Sequence, residues 1–167
     1  KYDKAISIFQ YDDYSKKIIH KFKYNDHLHI LDYFVGLMLN MGKEIIGKSD
    51  VVIPVPMHKH KLLKRGYNQA ALLAMKISSK TKLKYLPQAI LKIRNTIPQA
   101  ELKKDERVKN IKNSFKVNPK FKDFLKGKNI LLIDDVMTTG ATISECCKTL
   151  RKEKPAKIFV LTLAKRA

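Results

Sequence analysis

The chain has 167 residues, 44% of them apolar and 30% charged, enough for one domain with a substantial core and too few for two ordinary ones. No run approaches the ~18 uninterrupted apolar residues of a membrane span, and no charged-then-apolar leader opens it, so a cytoplasmic protein is predicted. Its 35 basic residues against 15 acidic ones give a formal charge of +20, which predicts attraction to nucleic acid, phosphorylated small molecules or anionic membrane. Lysines spread along the whole chain would also follow from composition bias, and the few arginines, among them Arg65, Arg94 and Arg107, are therefore the more informative cations. The first residue is Lys1 rather than Met, which leaves room for an upstream segment. Cys146 and Cys147 are adjacent, about 100° apart on a helix, and read as core thiols in a reducing compartment.

In chain order, "KAISIFQ" (4–10) alternates as a strand. "DDYSKKIIHKFKY" offers Asp12 or Asp13 as a helix N-cap, with Ile18, Ile19 and Phe22 on one face. "ILDYFVGLMLNMGKEII" reads as a second helix ending near Gly47, its aromatics better placed for core packing than for stacking on bases. "DVVIPVP" (50–56) is a buried strand halted by prolines. A basic loop, "MHKHKLLKRGYNQ", precedes a helix, "QAALLAMKISSK". "AILKIRN" is a further strand, "ELKKDERVKNIKN" a charged helix and "SFKVN" a short strand. "NILLIDD" is a continuous apolar strand, "ATISECCKTLRKE" a helix and "AKIFVLTLA" a closing strand. With no repeat or linker, this alternation predicts one α/β domain over residues 1–167, a mostly parallel sheet flanked by helices.

In such sheets ligands bind beyond the carboxyl ends of the strands, where Asp134 and Asp135 fall. Past them, Gly140 permits a tight turn with positive φ into the helix beginning near Ala141. Successive N–H groups there make an anion-binding concavity, to which Thr138, Thr139 and Thr142 add hydroxyls. The carboxylates would repel a phosphate and can only accept hydrogen bonds, so their partners are hydroxyl groups or a cation carried with the ligand. A phosphate at one end and a vicinal diol a few ångströms away, as in ribose 5-phosphate, fits both halves. A capping aspartate in an ordinary turn would explain either carboxylate alone, but the doublet followed by Thr-Thr-Gly-Ala-Thr less well. Neither a Walker A loop nor a G-x-G-x-x-G motif is present.

"LLIDDVMTTGAT" (131–142) resembles the 5-phosphoribosyl-1-pyrophosphate (PRPP) signature of type I phosphoribosyltransferases. "KFKYND" (21–26), "VIPVPMHKHKLLKRGYNQA" (52–70) and "QAELKKDERVKNIKNSF" (99–115) resemble the ComF-like competence branch in order and spacing. The resemblance covers nearly the whole chain. It implies a parallel sheet with a small hood or flap over the site, Asp134 and Asp135 on the ribose hydroxyls, and Thr138, Thr139, Gly140, Ala141 and Thr142 on the 5-phosphate. Many members of that branch carry an N-terminal four-cysteine zinc ribbon; these 167 residues contain none, and no zinc is expected in them.

The basic segment follows a second strand end. Lys59, Lys61, Lys64 and Arg65 supply cations, Gly66 allows backbone approach, and Tyr67 or Asn68 can orient a ligand. A solvated basic loop is the alternative; by resemblance, Lys64 to Asn68 form the pyrophosphate loop. His58 and His60 lack nearby acidic or thiol ligands and make a poor metal site. The third segment, "RNTIPQAELKKDERVKN", has the charge and the proline break of a flap over an anionic ligand, and equally suits an exposed helix with no catalytic duty. By resemblance Gln99, Leu102, Arg107 and Asn110, with Arg94 beside them, belong to it.

The implied chemistry is pentosyl transfer with loss of pyrophosphate, with Mg2+ carried on the ligand rather than held by dedicated protein groups. In purine-salvage relatives an aspartate stands at the position of Thr138. Threonine cannot act as a base near neutral pH, so purine salvage is disfavoured and an already nucleophilic acceptor is expected. The competing expectation is a non-catalytic, PRPP-responsive module that handles single-stranded DNA beside other competence proteins.

Overall fold

The computed structural model describes residues 1–12, 15, 17, 19, 28–96 and 104–166. Strand β1 (Lys4–Gln10) forms where alternation predicts it. After it, Asp12 and Ser15 make a reciprocal helix cap: the Asp12 carboxylate accepts the Ser15 N–H at 2.8 Å, and the Ser15 hydroxyl accepts the Asp12 N–H at 2.9 Å. Residues 15, 17 and 19 are helical and Ile19 is buried. Asp13, Ile18, Phe22 and the stretch 21–26 lie outside the described residues.

The segment predicted as one helix is two, α1 (Leu28–Met41) and α2 (Lys43–Gly47). The break falls at Gly42, where a Cβ would stand 2.6 Å from the Met38 carbonyl oxygen and 2.9 Å from Leu161 Cδ2. Phe34 is buried in the core as helical spacing predicts, while its neighbour Tyr33 is 64% exposed. Strand β2 (Val51–Pro54) is fully buried and stops at the prolines.

The expected basic loop is a short helix, α3 (Lys59–Arg65). Its residues are good helix formers, the His58 side chain accepts the His60 N–H at 3.4 Å at one end, and Gly66 at φ 84° closes the other. No residue of α3 is buried, which is why its sequence reads as a loop. Helix α4 (Gln69–Ser79) follows, then β3 (Lys84–Tyr85), β4 (Ile90–Lys92), α5 (Lys104–Ile111) and β5 (Phe115–Val117). A 3-10 turn at Pro119–Phe121 leads into α6 (Lys122–Leu125). The chain ends with β6 (Asn129–Met137), α7 (Ala141–Arg151) and β7 (Lys157–Lys165).

Five strands form a sheet in the order β1-β7-β6-β2-β3 with every pairing parallel. Successive side chains of the central strands serve opposite faces. Val51, Ile53, Ile130, Leu132, Ile158 and Val160 pack with α7, while Val52, Leu131, Ile133, Phe159 and Leu161 pack with α1 and α4. The fold is thus the predicted α/β arrangement, a parallel sheet covered by helices on both faces. Strands β4 and β5 pair antiparallel as a separate ribbon on the α7 face, with Ile90, Phe115 and Val117 in one cluster with Ile143 and Cys146. Cys146 and Cys147 are free and buried; burial pushes the Cys146 thiol well above its usual range and Cys147 to about 11, as befits core thiols.

Candidate functional site

The site begins where β2 stops. Pro54 is the last residue of β2 in register with β6, opposite Ile133, and the Val55 N–H donates to the Ile133 carbonyl at 2.8 Å as the final rung. Pro56 has no N–H to continue the ladder. Strand β6 nevertheless runs on through Asp134 to Met137, paired with β7 alone. Its alternation breaks at the aspartates, since Ile133 and Val136, three residues apart, pack in the same cluster. The Asp134 carboxylate accepts the Asp135 N–H at 2.9 Å, and the Asp135 carboxylate accepts the Val136 N–H at 2.7 Å. Such local bonds compete with regular strand geometry and fit an irregularity at this point. Both aspartates are half-buried.

The next residues make the predicted turn. Gly140 has left-handed backbone, φ 71° and ψ 2°, and opens α7, whose first turn is closed by the Ser144 N–H on the Gly140 carbonyl at 2.8 Å. Thr139 Oγ1 accepts the Ala141 N–H at 3.4 Å. Asp134, Thr138, Gly140, Ala141 and Thr142 line one small hollow, which brings the first carboxylate and the turn together. A larger groove of about 540 Å³ runs along β1 and shares only Met137 with that hollow.

The basic segment joins the site through Asn68. Its amide donates to the Val55 carbonyl at 3.0 Å, at the end of β2, and its carbonyl oxygen accepts the Ala70 N–H at 3.1 Å, capping α4. Asn68 therefore fixes where α3 and α4 meet the strand end. Arg65 is half-buried and bonds the Gln69 side chain at 3.1 Å; Lys64 is exposed and Tyr67 half-buried. A Cβ at Gly66 would meet open space, so this glycine is set by its positive φ. His58 and His60 stack edge to face at 5.0 Å, and burial, with the nearby His60 and Lys92 charges, holds His58 below its usual range. Among the described residues no group of three or more His, Cys, Asp or Glu side chains could hold a metal.

Of the expected flap residues, Gln99 and Leu102 lie outside the described residues. Arg107 lies on α5, and its side chain is not described. Asn110 is half-buried near the end of α5. Arg94 is exposed and donates to the Lys112 carbonyl at 2.9 Å, tying the chain after β4 to the end of α5. Lys92 went unnoticed in the sequence: it is half-buried on β4 and lies within the fields of both Lys61 and Asp134. Lys92 shares the face of Ile90, and the pairing with Val117 and Phe115 of β5 identifies that face as the inner one.

The carboxylate pair and the turn thus share the carboxyl edge of a parallel sheet, where ligands of such sheets bind. Residues 43–167 match the family model described as "Phosphoribosyl transferase domain", and the chain belongs to that family. It is 29% identical over 170 residues to Competence protein F of Haemophilus influenzae, a match covering 98% of this chain and 73% of that protein. It is 25% identical over 169 residues to DNA utilization protein YhgH of Salmonella typhimurium, with the same coverage. Among solved structures, one titled the allosteric regulatory enzyme of purine biosynthesis is similar with TM-score 0.50 and 17% identity, over 85% of this chain and 29% of that one. That last likeness concerns the fold alone.

Proposed function

We propose that this chain binds PRPP and transfers its phosphoribosyl group. The 5-phosphate rests in the 138–142 turn, the ribose hydroxyls on Asp134 and Asp135, and the diphosphate toward Lys64, Arg65, Gly66, Tyr67 and Asn68. The observation that carries this reading is the carboxylate pair on the overhang of β6, one turn before a helix opened by a left-handed glycine. The acidic pair selects the diol and the N–H-lined turn selects the phosphate, so the two charges of opposite preference are separated along one strand end. The 167 residues would act as one unit.

Mg2+ suits the donor set as an ion carried on the ligand, beside the adjacent carboxylates, and when bound it would neutralise charge on the departing diphosphate. The chain's own contribution is to hold the sugar, to offer cations and backbone donors to the leaving group, and to exclude water. Thr138 supplies no base, so the acceptor must arrive already nucleophilic.

Calorimetry with PRPP and Mg2+ tests the reading: a saturable binding heat is expected, and none at millimolar ligand would remove it. A second reading has its own support, the +20 charge together with relatives whose printed names concern competence and DNA utilization. In that reading the basic surface handles single-stranded DNA, gated by PRPP. Its affinity should fall steeply with salt and weaken when Lys59, Lys61 and Lys64 are neutralised, and salt-insensitive binding would count against it.

A further inference from the structure

Lys92 inverts the pattern of its own strand. In β4, Ile90 and Lys92 stand opposite Val117 and Phe115 of β5, both buried, while Leu91 and Ile93 are 38% and 53% exposed. A lysine facing inward between two outward apolar residues breaks the ordinary alternation, and local rules are broken most often at functional positions. Its ammonium lies 5.6 Å from the Phe115 ring centroid. Phe115 shares a cluster with Ile143 and Cys146, which sets Lys92 against the opening turns of α7. The charged and titratable groups around it come from three other stretches: His58 and Lys61 at the start of the basic segment, Asp134 on β6 and Cys146 on α7. Lys92 thus lies within electrostatic reach of both Asp134 and the basic segment.

We propose that Lys92 is a further ligand-binding residue of this site, a cation on the β4–β5 ribbon that contacts the diphosphate of a phosphoribosyl diphosphate from the side facing α7. The inference rests on the PRPP reading and adds to it a residue outside the segments that resemble the family's pyrophosphate loop. A diphosphate would add negative charge beside this lysine, opposing the nearby Lys61. Burial first, then Lys61, lower the Lys92 ammonium to about 8, while Cys146 and Asp134 act to raise it.

The consequence is a proton linkage of definite sign. A bound diphosphate favours the charged lysine and raises its pKa, so binding draws in protons above about pH 8 and few below it. With the lysine fully charged in the complex, uptake at this group is about 0.1 proton at pH 7 and about 0.8 at pH 8.5. Affinity should correspondingly fall about tenfold between pH 7 and pH 9 on account of this one group.

The test is calorimetry of the full chain with PRPP and Mg2+ in buffers of different ionisation enthalpy, at pH 7 and 8.5, for wild type, Lys92→Arg and Lys92→Met. Protons taken up by the ligand's own phosphates are common to all three and cancel in the difference. Lys92→Arg should keep its affinity at pH 8.5 and lose the extra ~0.8 proton, because a guanidinium stays charged. Lys92→Met should lose the proton and about 10- to 100-fold in affinity at pH 7, while keeping the packing on Phe115. Inorganic pyrophosphate should show the same dependence on Lys92, and ribose 5-phosphate should not. Wild-type binding that Lys92→Met leaves unchanged in affinity and proton count overturns the assignment, as does equal loss for ribose 5-phosphate. Absence of any wild-type binding instead removes the PRPP reading, and this inference with it.

Discussion

Replacing Asp134 and Asp135 together with asparagine separates their ligand role from their structural one. Each carboxylate accepts the next residue's N–H, at 2.9 Å and 2.7 Å, through one oxygen. An asparagine side chain retains a carbonyl oxygen that can accept the same bond, so the turn should survive and global stability should change by less than about 0.5 kcal/mol. What is lost, on the proposed reading, is the charge offered to the ribose hydroxyls. At roughly 1–2 kcal/mol for each charged hydrogen-bonding partner, PRPP binding should weaken by ~2–4 kcal/mol. That corresponds to roughly 30- to 1,000-fold in dissociation constant. Calorimetry with PRPP and Mg2+, paired with a denaturant titration of each protein, reads both quantities. A double variant that folds as the wild type does and binds PRPP with unchanged affinity refutes the ribose assignment.

Gly140→Ala forces an L side chain into φ 71°, which costs roughly 1–2 kcal/mol. Because the nearest contact, Met137 Sδ at 3.8 Å, is ordinary, the effect should be conformational, and inorganic phosphate binding should drop with stability; unaltered phosphate binding would remove the turn from the site. Gly42→Ala places a Cβ against Met38 O and Leu161 Cδ2 at 2.6 and 2.9 Å, and should cost about 1–3 kcal/mol, visible as a melting temperature lower by about 3–10 °C. An unchanged melting temperature would show that α1 and α2 shift freely there. For Asp3, burial alone would raise the carboxyl, but the Ile158 N–H at 2.7 Å and the Arg151 guanidinium outweigh it and hold it below the usual range. A carboxyl lowered by folding stabilises the fold above its unfolded pKa and loses that contribution as pH falls below about 4. Denaturant titrations at pH 6 and pH 3 should show a smaller acid loss for Asp3→Asn than for wild type, by no more than about 1 kcal/mol after solvent screening; equal losses would dismiss the pair.

The parallel sheet was legible because its central strands are written as uninterrupted apolar runs. The apolar runs 51–54, 130–133 and 158–161 within these strands read as doubly covered. The turn after β6 was equally legible, since Gly140 must supply the positive φ between a strand and a helix. Helix α3 was not, because none of its residues is buried and a helix without an apolar face has no period to read. Lys92 was missed for a related reason. A short strand gives its lysine no visible face until the partner strand shows that Val117 and Phe115 stand on the inner side.

The location of the site follows from unequal strand length. Strand β2 stops at Pro54, with Pro56 beyond it, whereas β6 continues through Met137 against β7. Had β2 continued in register, its backbone would occupy the flank of Asp134, and the carboxylates would lie inside a sheet with no room for a diol. The prolines therefore act on the chemistry at a distance in sequence, by ending a ladder. Asn68 fastens the basic segment just past the same strand end through the Val55 carbonyl. In the proposed reading, a polyanionic sugar presents its hydroxyls to the negative groups there and its phosphates to the positive ones. The +20 charge of the whole chain would make such a ligand easier to attract, and on that reading the two aspartates set which part of it lies where.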